Sequence, residues 1–149
     1  MRFHLIDRLD AWEPGQWVHA TKLTSRAEDH WEPGPAGLQM PAALIVEAFL
    51  QAGTWLVMTT TERRRRAALL SIGELELTEP VLPGDVLELH GTVEAMSDEV
   101  AVVSGVGRVG DRTVLVCRDV MCALIDAETL EDPTDVARMQ DVLTRAVAA

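Results

Sequence analysis

The most apolar stretch of the chain reads PAALIVEAFLQAGTWLVM and spans residues 41–58. Proline suits the first position of a helix because its missing amide hydrogen would have no partner there, so Pro41 is the predicted first helical residue. The helix is predicted to run to about Thr60. Glu47 and Gln51 interrupt the apolar side chains, and the stretch falls short of the roughly 20 apolar residues that a membrane span needs. Apolar side chains on nearly every face predict a core helix that is surrounded by protein.

The polar side chains of Glu47 and Gln51 stand four residues apart in this helix. Residues at this spacing share one helical face, so the two side chains are expected to lie together. A carboxylate among apolar neighbours must find a partner or become neutral. Such a group is typical of a general acid or base, whereas a purely structural interpretation pairs Glu47 with a basic or amide group across a dimer interface.

The rest of the chain has the pattern of strands separated by turns. Val and Leu are frequent in these segments, and Pro83-Gly84-Asp85 and Gly110-Asp111 are strong turn signals. The segment 26–39 is rich in Pro and Gly and predicts an irregular loop that leads into the helix. The predicted strands are 16–23, 69–79, 85–95, 100–109 and 113–126, followed by an amphipathic helix over 133–147 within a C-terminal extension, 130–149. One long helix with these strands predicts a single α+β domain over 1–149.

Cys117 and Cys122 are the two cysteines of the chain and stand five residues apart in the last predicted strand. Successive side chains of a strand point to opposite faces, so the two thiols are expected on opposite faces and unable to bridge easily. A disulfide framework or a cysteine-based metal site is therefore not expected.

The chain is acidic, with a formal net charge of −11. Nucleic acid is therefore not an expected partner, because phosphate backbones repel an acidic protein. No apolar run in residues 1–10 resembles a signal peptide. Because the apolar stretch 41–58 is interpreted as a core helix, a membrane is not an expected partner either. Together these features predict a cytoplasmic protein.

Four of the 13 basic residues form an arginine cluster directly after the predicted helix: Arg63, Arg64, Arg65 and Arg66. Cations at the carboxyl end of a helix complement its dipole, so a solvated helix end explains the cluster without a function. The functional interpretation is a docking site for an anionic partner.

Short motifs in a common order resemble the β-hydroxyacyl-acyl carrier protein dehydratase family. They are Leu5-Ile6-Asp7-Arg8-Leu9, Glu13-Pro14-Gly15, Met40-Pro41, Leu44-Ile45-Val46-Glu47-Ala48, Gln51 and Val81-Leu82-Pro83-Gly84-Asp85, and they cover most of residues 1–126. The resemblance implies a hot-dog fold, in which an antiparallel sheet wraps around a long central helix. It also implies a homodimer or a larger oligomer of dimers, an acyl tunnel at the subunit interface, an acyl thioester of acyl carrier protein or coenzyme A as substrate, and no cofactor or metal.

Members of this family use a His from a loop reading H-F-P-x-x-P-x-M-P-G and a Glu or Asp from the helix, contributed by opposite subunits. Glu47 matches the helix acid without a gap. The position fourteen residues earlier, where the family has its His, is Pro33. His30 lies in the same loop and takes this catalytic role if the loop is three residues longer here.

The resemblance assigns substrate binding to the start of the helix and to its amide side chain. The family's Met-Pro-Gly reads Met40-Pro41-Ala42 here. Free backbone amides at a helix start can stabilise negative charge on the thioester oxygen, although the methyl group of Ala42 narrows the approach. The candidate substrate-binding residues are Met40, Pro41, Ala42, Ala43 and Gln51. The arginine cluster is the expected docking site for the acidic carrier protein.

The expected reaction is the dehydration of a 3-hydroxyacyl thioester to a trans-2-enoyl thioester, with His30 as the base and Glu47 as the acid. A catalytically silent subunit that binds acyl chains or completes a heterodimer is the first alternative, because its partner would supply the missing His. The second alternative is an acyl thioesterase in which Glu47 acts with a water nucleophile.

Overall fold

The fold consists of an antiparallel sheet and one long helix that packs against it. The computed structural model describes residues 3–145. The helices are α1 (Ala42–Thr60) and α2 (Pro133–Thr144), with a short 3-10 turn (Ala127–Thr129) before α2. The strands are β1 (Arg8–Glu13), β2 (Trp17–Leu23), β3 (Glu32–Gly34), β4 (Gly37–Gln39), β5 (Arg65–Leu77), β6 (Val86–Met96), β7 (Val100–Val109) and β8 (Arg112–Asp126).

Six strands form one sheet in the order β1-β2-β6-β7-β8-β5. All neighbouring strands in this sheet are antiparallel, and β3 and β4 form a separate hairpin. β5 follows α1 in the chain but pairs with the last strand, β8, so it forms one edge of the sheet within the chain. The α+β architecture predicted from the sequence is confirmed.

One face of α1 packs against the sheet. Phe49 lies over Gly91 and Gly105, which oppose each other on β6 and β7. The side of α1 that carries Glu47 and Gln51 is only half-buried within the chain. The predicted core helix is therefore confirmed, but a single chain does not surround it. The buried residues of α1 are Ile45, Ala48, Phe49, Ala52, Trp55, Leu56, Val57 and Met58.

Among residues 3–145, α1 is the one helix long and apolar enough to cross a membrane by length and composition alone. Its length and composition allow a membrane span despite Glu47 and Gln51, so the sequence argument that the stretch falls short of one was wrong. Its packing provides the better criterion, because its buried face belongs to the same hydrophobic core as the strands of the sheet.

Most element boundaries agree with the sequence prediction within a few residues. β7 spans Val100–Val109 as predicted. Pro41 has φ −56° and ψ 138° and precedes α1 as its cap, so it is not the first helical residue. α2 ends at Thr144, and the predicted end at Val147 lies outside the described residues.

The segment 26–39, predicted to be an irregular loop, contains the β3–β4 hairpin. Gly34 pairs with Gly37 across a turn formed by Pro35 and Ala36. Gly37 has φ +106°, a conformation that favours glycine. The Pro and Gly residues were turn signals as expected, but they mark a hairpin instead of an unstructured connection.

The two cysteines are free, but the strand alternation from which this was predicted does not hold. A bulge places Arg118 and Asp119 of β8 opposite Ser104 of β7, and Asp119 has φ +53°. The extra residue reverses which side chains of β8 point inwards. Cys117 before the bulge and Cys122 after it are therefore both buried in the core, and the prediction that they occupy opposite faces was wrong.

Candidate active site

Glu47 and Gln51 lie together on α1, as the spacing predicted. The side-chain amide nitrogen of Gln51 donates to Glu47 Oε1 over 3.0 Å and to the carbonyl of Phe3 over 3.0 Å. The amide oxygen of Gln51 accepts from the backbone N–H of Leu5 at 2.8 Å. Gln51 thus joins the N-terminal segment to the helix and fixes one carboxylate oxygen of Glu47, whereas Oε2 receives no hydrogen bond from residues 3–145.

Glu47 lines a polar cavity of about 250 Å³ beside the exposed side of α1. Thr54 and Arg66 also line this cavity. A second, smaller cavity of about 30 Å³ lies between α1 and the sheet and has mostly apolar walls. The two cavities share four lining residues: Leu50, Thr54, Ala67 and Leu69. The polar cavity beside Glu47 therefore adjoins a small apolar one.

The apolar cavity is lined by Cys122, among others. Burial raises the pKa of the Cys122 thiol, and it raises the pKa of the Cys117 thiol to about 11. Both thiols are therefore protonated near neutral pH and are poor nucleophiles. The side chains of the two cavities that remain as candidates for acid–base chemistry are Glu47 and His4.

The start of α1 offers backbone donors. Pro41 provides no side-chain cap, and its carbonyl accepts from the N–H groups of Leu44 at 2.9 Å and Ile45 at 3.3 Å. Ala42 and Ala43 are exposed, and within residues 3–145 their N–H groups have no acceptor. These two amides are the free donors that an oxyanion requires.

The predicted substrate-binding residues do not all line one cavity. Gln51 lies beside Glu47, whereas Met40 and Ala42 line a separate cavity of about 390 Å³ between the β3–β4 hairpin and the end of β5. Ala43 precedes Glu47 by one helical turn and so shares its face. The helix face from Ala43 to Gln51 thus connects the two regions.

His30 lies between β2 and β3. Its Nδ1 is 3.8 Å from Glu28 Oε2, and its Nε2 is buried without a hydrogen-bond partner among the described residues. His30 does not line the cavity beside Glu47. A single chain is not expected to unite the two residues, because the resemblance places them on opposite subunits. Pro33, at the family's His position, is exposed in β3.

The arginine cluster is divided by the structure. α1 has no basic residue in its last turn, but the side chain of Arg64 reaches the carbonyl of its C-cap residue, Thr61, so the helix-end interpretation holds for Arg64 alone. Arg65 and Arg66 belong to β5, where Arg65 pairs with Asp126 and Arg66 with Glu131. The other two are exposed in the turn after α1, where Arg63 donates to the side chain of Gln140 and Arg64 to the carbonyl of Thr61.

Sequence reasoning missed His4, Thr54 and the position of Arg66 in the Glu47 cavity. Thr54 stands three residues after Gln51 on the same helical face, so spacing alone contained the signal for it. Arg66 reaches the cavity because it is part of β5, which only the strand pairing reveals. Within residues 3–145 no group of three or more His, Cys, Asp or Glu side chains is arranged to hold a metal ion.

Sequence comparison connects the chain to dehydratases. No family model matches the chain. It is 36% identical over 131 residues to the 3-hydroxyacyl-(acyl-carrier-protein) dehydratase FabZ of Symbiobacterium thermophilum, a match that covers 87% of this chain and 92% of the relative. FabZ of Roseiflexus sp. strain RS-1 is 32% identical over 128 residues, which covers 85% of this chain and 88% of the relative.

Structural comparison establishes the fold. The dehydratase heterocomplex ApeI:P from Xenorhabdus doucetiae matches with a TM-score of 0.63 and 14% identity, covering 91% of this chain and 88% of the other. Thioesterase HI1161 from Haemophilus influenzae matches with a TM-score of 0.63 and 16% identity, covering 84% and 80%. The predicted hot-dog fold is confirmed, and the sequence relatives add the family: this chain belongs to the 3-hydroxyacyl-acyl carrier protein dehydratases.

Proposed function

We propose that this chain is a lyase that removes water from a 3-hydroxyacyl thioester to give a trans-2-enoyl thioester. The observation that carries the proposal is the half-buried carboxylate of Glu47, held by Gln51 beside a polar cavity that adjoins an apolar one. The hydroxyl group and thioester would occupy the polar cavity, with the acyl tail directed towards the apolar one. Family membership supports the reaction, because the relatives are dehydratases of acyl-carrier-protein thioesters.

The proposed mechanism is acid–base elimination. Nε2 of His30 takes a proton from the α-carbon, and the electron pair of that C–H bond forms the new double bond. The bond between the β-carbon and the hydroxyl oxygen breaks as protonated Glu47 donates its proton, so that water leaves. The amides of Ala42 and Ala43 stabilise the negative charge that develops on the thioester oxygen. These steps use no cofactor or metal.

The proposed active assembly is a homodimer, in which His30 of one copy meets Glu47 of the other. Two surfaces of the single chain favour a second copy as partner: the half-buried face of α1 and the unpaired edge of β5. An edge strand with exposed apolar side chains is a template for pairing with another chain. The exposed apolar residues of β5 are Leu69, Leu70, Leu75 and Leu77. We further propose a cytoplasmic location and no nucleic acid partner, in keeping with the net charge of −11.

The test of the proposed function is an assay of the purified protein. Crotonyl and 3-hydroxybutyryl thioesters, and longer homologues, would be presented on acyl carrier protein and on coenzyme A, with hydration and dehydration followed by enoyl-thioester absorbance. We expect reversible interconversion on at least one carrier. Release of free thiol without interconversion would instead identify a thioesterase. Activity of neither kind with any chain length would contradict the enzyme proposal.

The second candidate is a catalytically silent subunit of a heterodimer. The displaced histidine favours it, because Pro33 has no acid–base chemistry and a partner would then supply the His. Co-expression with other dehydratase-like chains of the same organism, followed by native mass measurement, tests this. An active homodimer would contradict it, whereas a heterodimer that is active when the homodimer is not would replace the first proposal.

Carrier docking is expected to depend on Arg63 and Arg64, the exposed members of the arginine cluster. Reversing both charges to Glu should lower kcat/KM for acyl-carrier-protein substrates about 10-fold, because surface charges act on the association rate of oppositely charged partners. A small thioester mimic should react at the wild-type rate. Steady-state kinetics with both substrates at two ionic strengths measures the effect, which added salt should diminish.

The matched control reverses Arg108 and Arg118, which lie on other strands of the sheet. This double variant changes the net charge by the same amount as the Arg63/Arg64 variant, but it alters residues outside the arginine cluster. It should therefore leave carrier-linked turnover nearly intact. Equal losses in both double variants, or equal loss with the small mimic, would contradict docking at this site.

A further inference from the structure

An ion pair between a buried lysine and a half-buried glutamate lies next to His30. Lys22 is the only lysine of the chain and is 5% exposed. Its ammonium group is 2.7 Å from Glu28 Oε2 and donates to the carbonyl of Leu23 at 2.7 Å. The other carboxylate oxygen of Glu28 accepts from the backbone N–H of Ser25 at 2.8 Å. Both oxygens of Glu28 are therefore fixed in place.

The charge of Glu28 is secured by the same contacts. Burial acts to raise the pKa of this carboxyl group, but the hydrogen bonds from Lys22 and the Ser25 amide, together with the charge of Lys22, hold the pKa below its ordinary value. Glu28 therefore presents an ionised oxygen to the neighbouring ring throughout the neutral pH range.

Two side chains neighbour the ring of His30. Its Nδ1 is 3.8 Å from Glu28 Oε2, and it lies against Trp31 with ring centroids 4.9 Å apart. Trp31 is itself anchored, because its indole N–H donates to the carbonyl of Ser25 at 2.8 Å. All of these contacts are formed within the segment from Lys22 to Trp31, so they do not require a partner subunit.

The opposite nitrogen of the ring stands apart from this network. Nε2 of His30 is buried and has no hydrogen-bond partner among residues 3–145. Buried polar atoms in proteins are nearly always satisfied, so an exception requires an explanation. A hydrogen bond between this nitrogen and a substrate or partner subunit would be such an explanation.

We infer that Glu28, fixed by Lys22, is a positioning residue that keeps the ring proton of His30 on Nδ1 and leaves Nε2 as the unprotonated base for the substrate. The inference rests on the proposed dehydratase function and adds two residues to it. Carboxylates that hold a histidine in one tautomer do so through a hydrogen bond from Nδ1. The 3.8 Å separation is longer than such a bond, and it is expected to shorten when substrate binds, since catalytic hydrogen bonds are often long in free enzymes.

The first experiment replaces Glu28 with Gln, which preserves size but removes the charge. We expect kcat to fall about 10- to 100-fold and KM to stay nearly unchanged. This loss is smaller than the full contribution of a general base, because His30 itself is still present. The matched control is Asp29→Asn, an exposed neighbour with the same loss of charge, which should retain wild-type kcat. In a His30→Ala background, Glu28→Gln should cause no further loss, because Glu28 acts through His30. A further loss there, or wild-type kcat in Glu28→Gln, would overturn the inference.

Because Glu28→Gln leaves the buried Lys22 without its partner, the variant risks misfolding. The double variant Lys22→Met/Glu28→Gln removes both charges and is expected to fold and to show the same loss of kcat. Wild-type kcat in this double variant would equally overturn the inference.

A spectroscopic measurement separates this inference from the proposed function. The ¹⁵N chemical shifts of the His30 ring, assigned by their loss in His30→Ala, report which nitrogen carries the proton whether or not the protein is active. We expect the Nδ1–H tautomer in the wild type and a shift towards Nε2–H in the double variant. An Nε2–H tautomer in the wild type, or no change in the variant, would overturn the role of Glu28 even if dehydration is observed. An inactive protein with the expected tautomers would refute the proposed function and leave the positioning role in place.

Discussion

Replacing Glu47 with Gln is expected to lower kcat about 100- to 10,000-fold, because the variant lacks the proton that the departing hydroxyl group requires. Gln has nearly the same size and is still able to hydrogen-bond with Gln51, so the cavity beside α1 should keep its shape. KM should therefore change little. Steady-state kinetics with a 3-hydroxybutyryl thioester, together with a denaturant unfolding curve, measures both effects.

The control for this variant is Glu94→Gln on β6, an exposed residue with the same change of charge. It should retain wild-type kcat. A Glu47→Gln enzyme that retains more than about one third of the wild-type kcat would exclude Glu47 as the general acid, since general acids contribute far more than this to the rate.

The second large effect concerns stability. A β-carbon at Gly105 would lie 2.0 Å from the carbonyl oxygen of His90 and 2.7 Å from the ring of Phe49. The carbonyl belongs to the paired strand β6 and cannot move without breaking the sheet ladder. Gly105→Ala is therefore expected to lose more than about 4 kcal/mol of unfolding free energy, a loss reserved for severe backbone or core conflicts.

Urea unfolding monitored by circular dichroism measures this loss. Gly91→Ala serves as a milder variant if Gly105→Ala does not fold. A β-carbon at Gly91 would lie 3.3 Å from Val18 Cγ1, its nearest neighbour, so about 1–3 kcal/mol of destabilisation is expected. Gly53→Ala is the control, since a β-carbon there meets nothing within 4 Å and alanine favours the helix by about 0.5–1 kcal/mol. Equal stability of the Gly105→Ala and Gly53→Ala variants would contradict the packing of α1 on the two glycines.

The central helix and the Glu47–Gln51 pair could be predicted from the sequence because both depend on local spacing. A long apolar stretch that follows a proline has few alternatives to a core helix, and residues four apart meet on any helix. The resemblance supplied the hot-dog fold and the expectation of a dimer, neither of which follows from the periodicity of the sequence. The structure confirms the hydrogen bond between the two side chains at 3.0 Å.

The errors arose where pairing between distant segments overrides local pattern. The bulge at Asp119 depends on how β8 pairs with β7, so strand alternation alone placed Cys117 and Cys122 wrongly. The start of β5 at Arg65 is likewise set by its pairing with Asp126 at the end of β8. Tertiary contacts of this kind set strand boundaries more strongly than intrinsic preference does.

The histidine was the hardest part of the site to predict. Counting along the sequence aligned the family's His with Pro33, whereas the β3–β4 hairpin occupies the residues between His30 and the helix. The arrangement of Lys22, Glu28 and His30 could not be predicted because it depends on the fold of the connection after β2. The catalytic role of His30 stays a prediction, and the orphaned Nε2 is its main structural support.

The central claim is that an active site is assembled from Glu47 of one copy and His30 of the other. Co-expression of a His30→Ala chain with a Glu47→Gln chain tests it, because each homodimer lacks a complete site while every mixed dimer has one site with both residues intact. Random pairing should restore about a quarter of wild-type activity, since half of the dimers are mixed and each of those has one working site of two. Activity no greater than that of the two parent variants would contradict the claim.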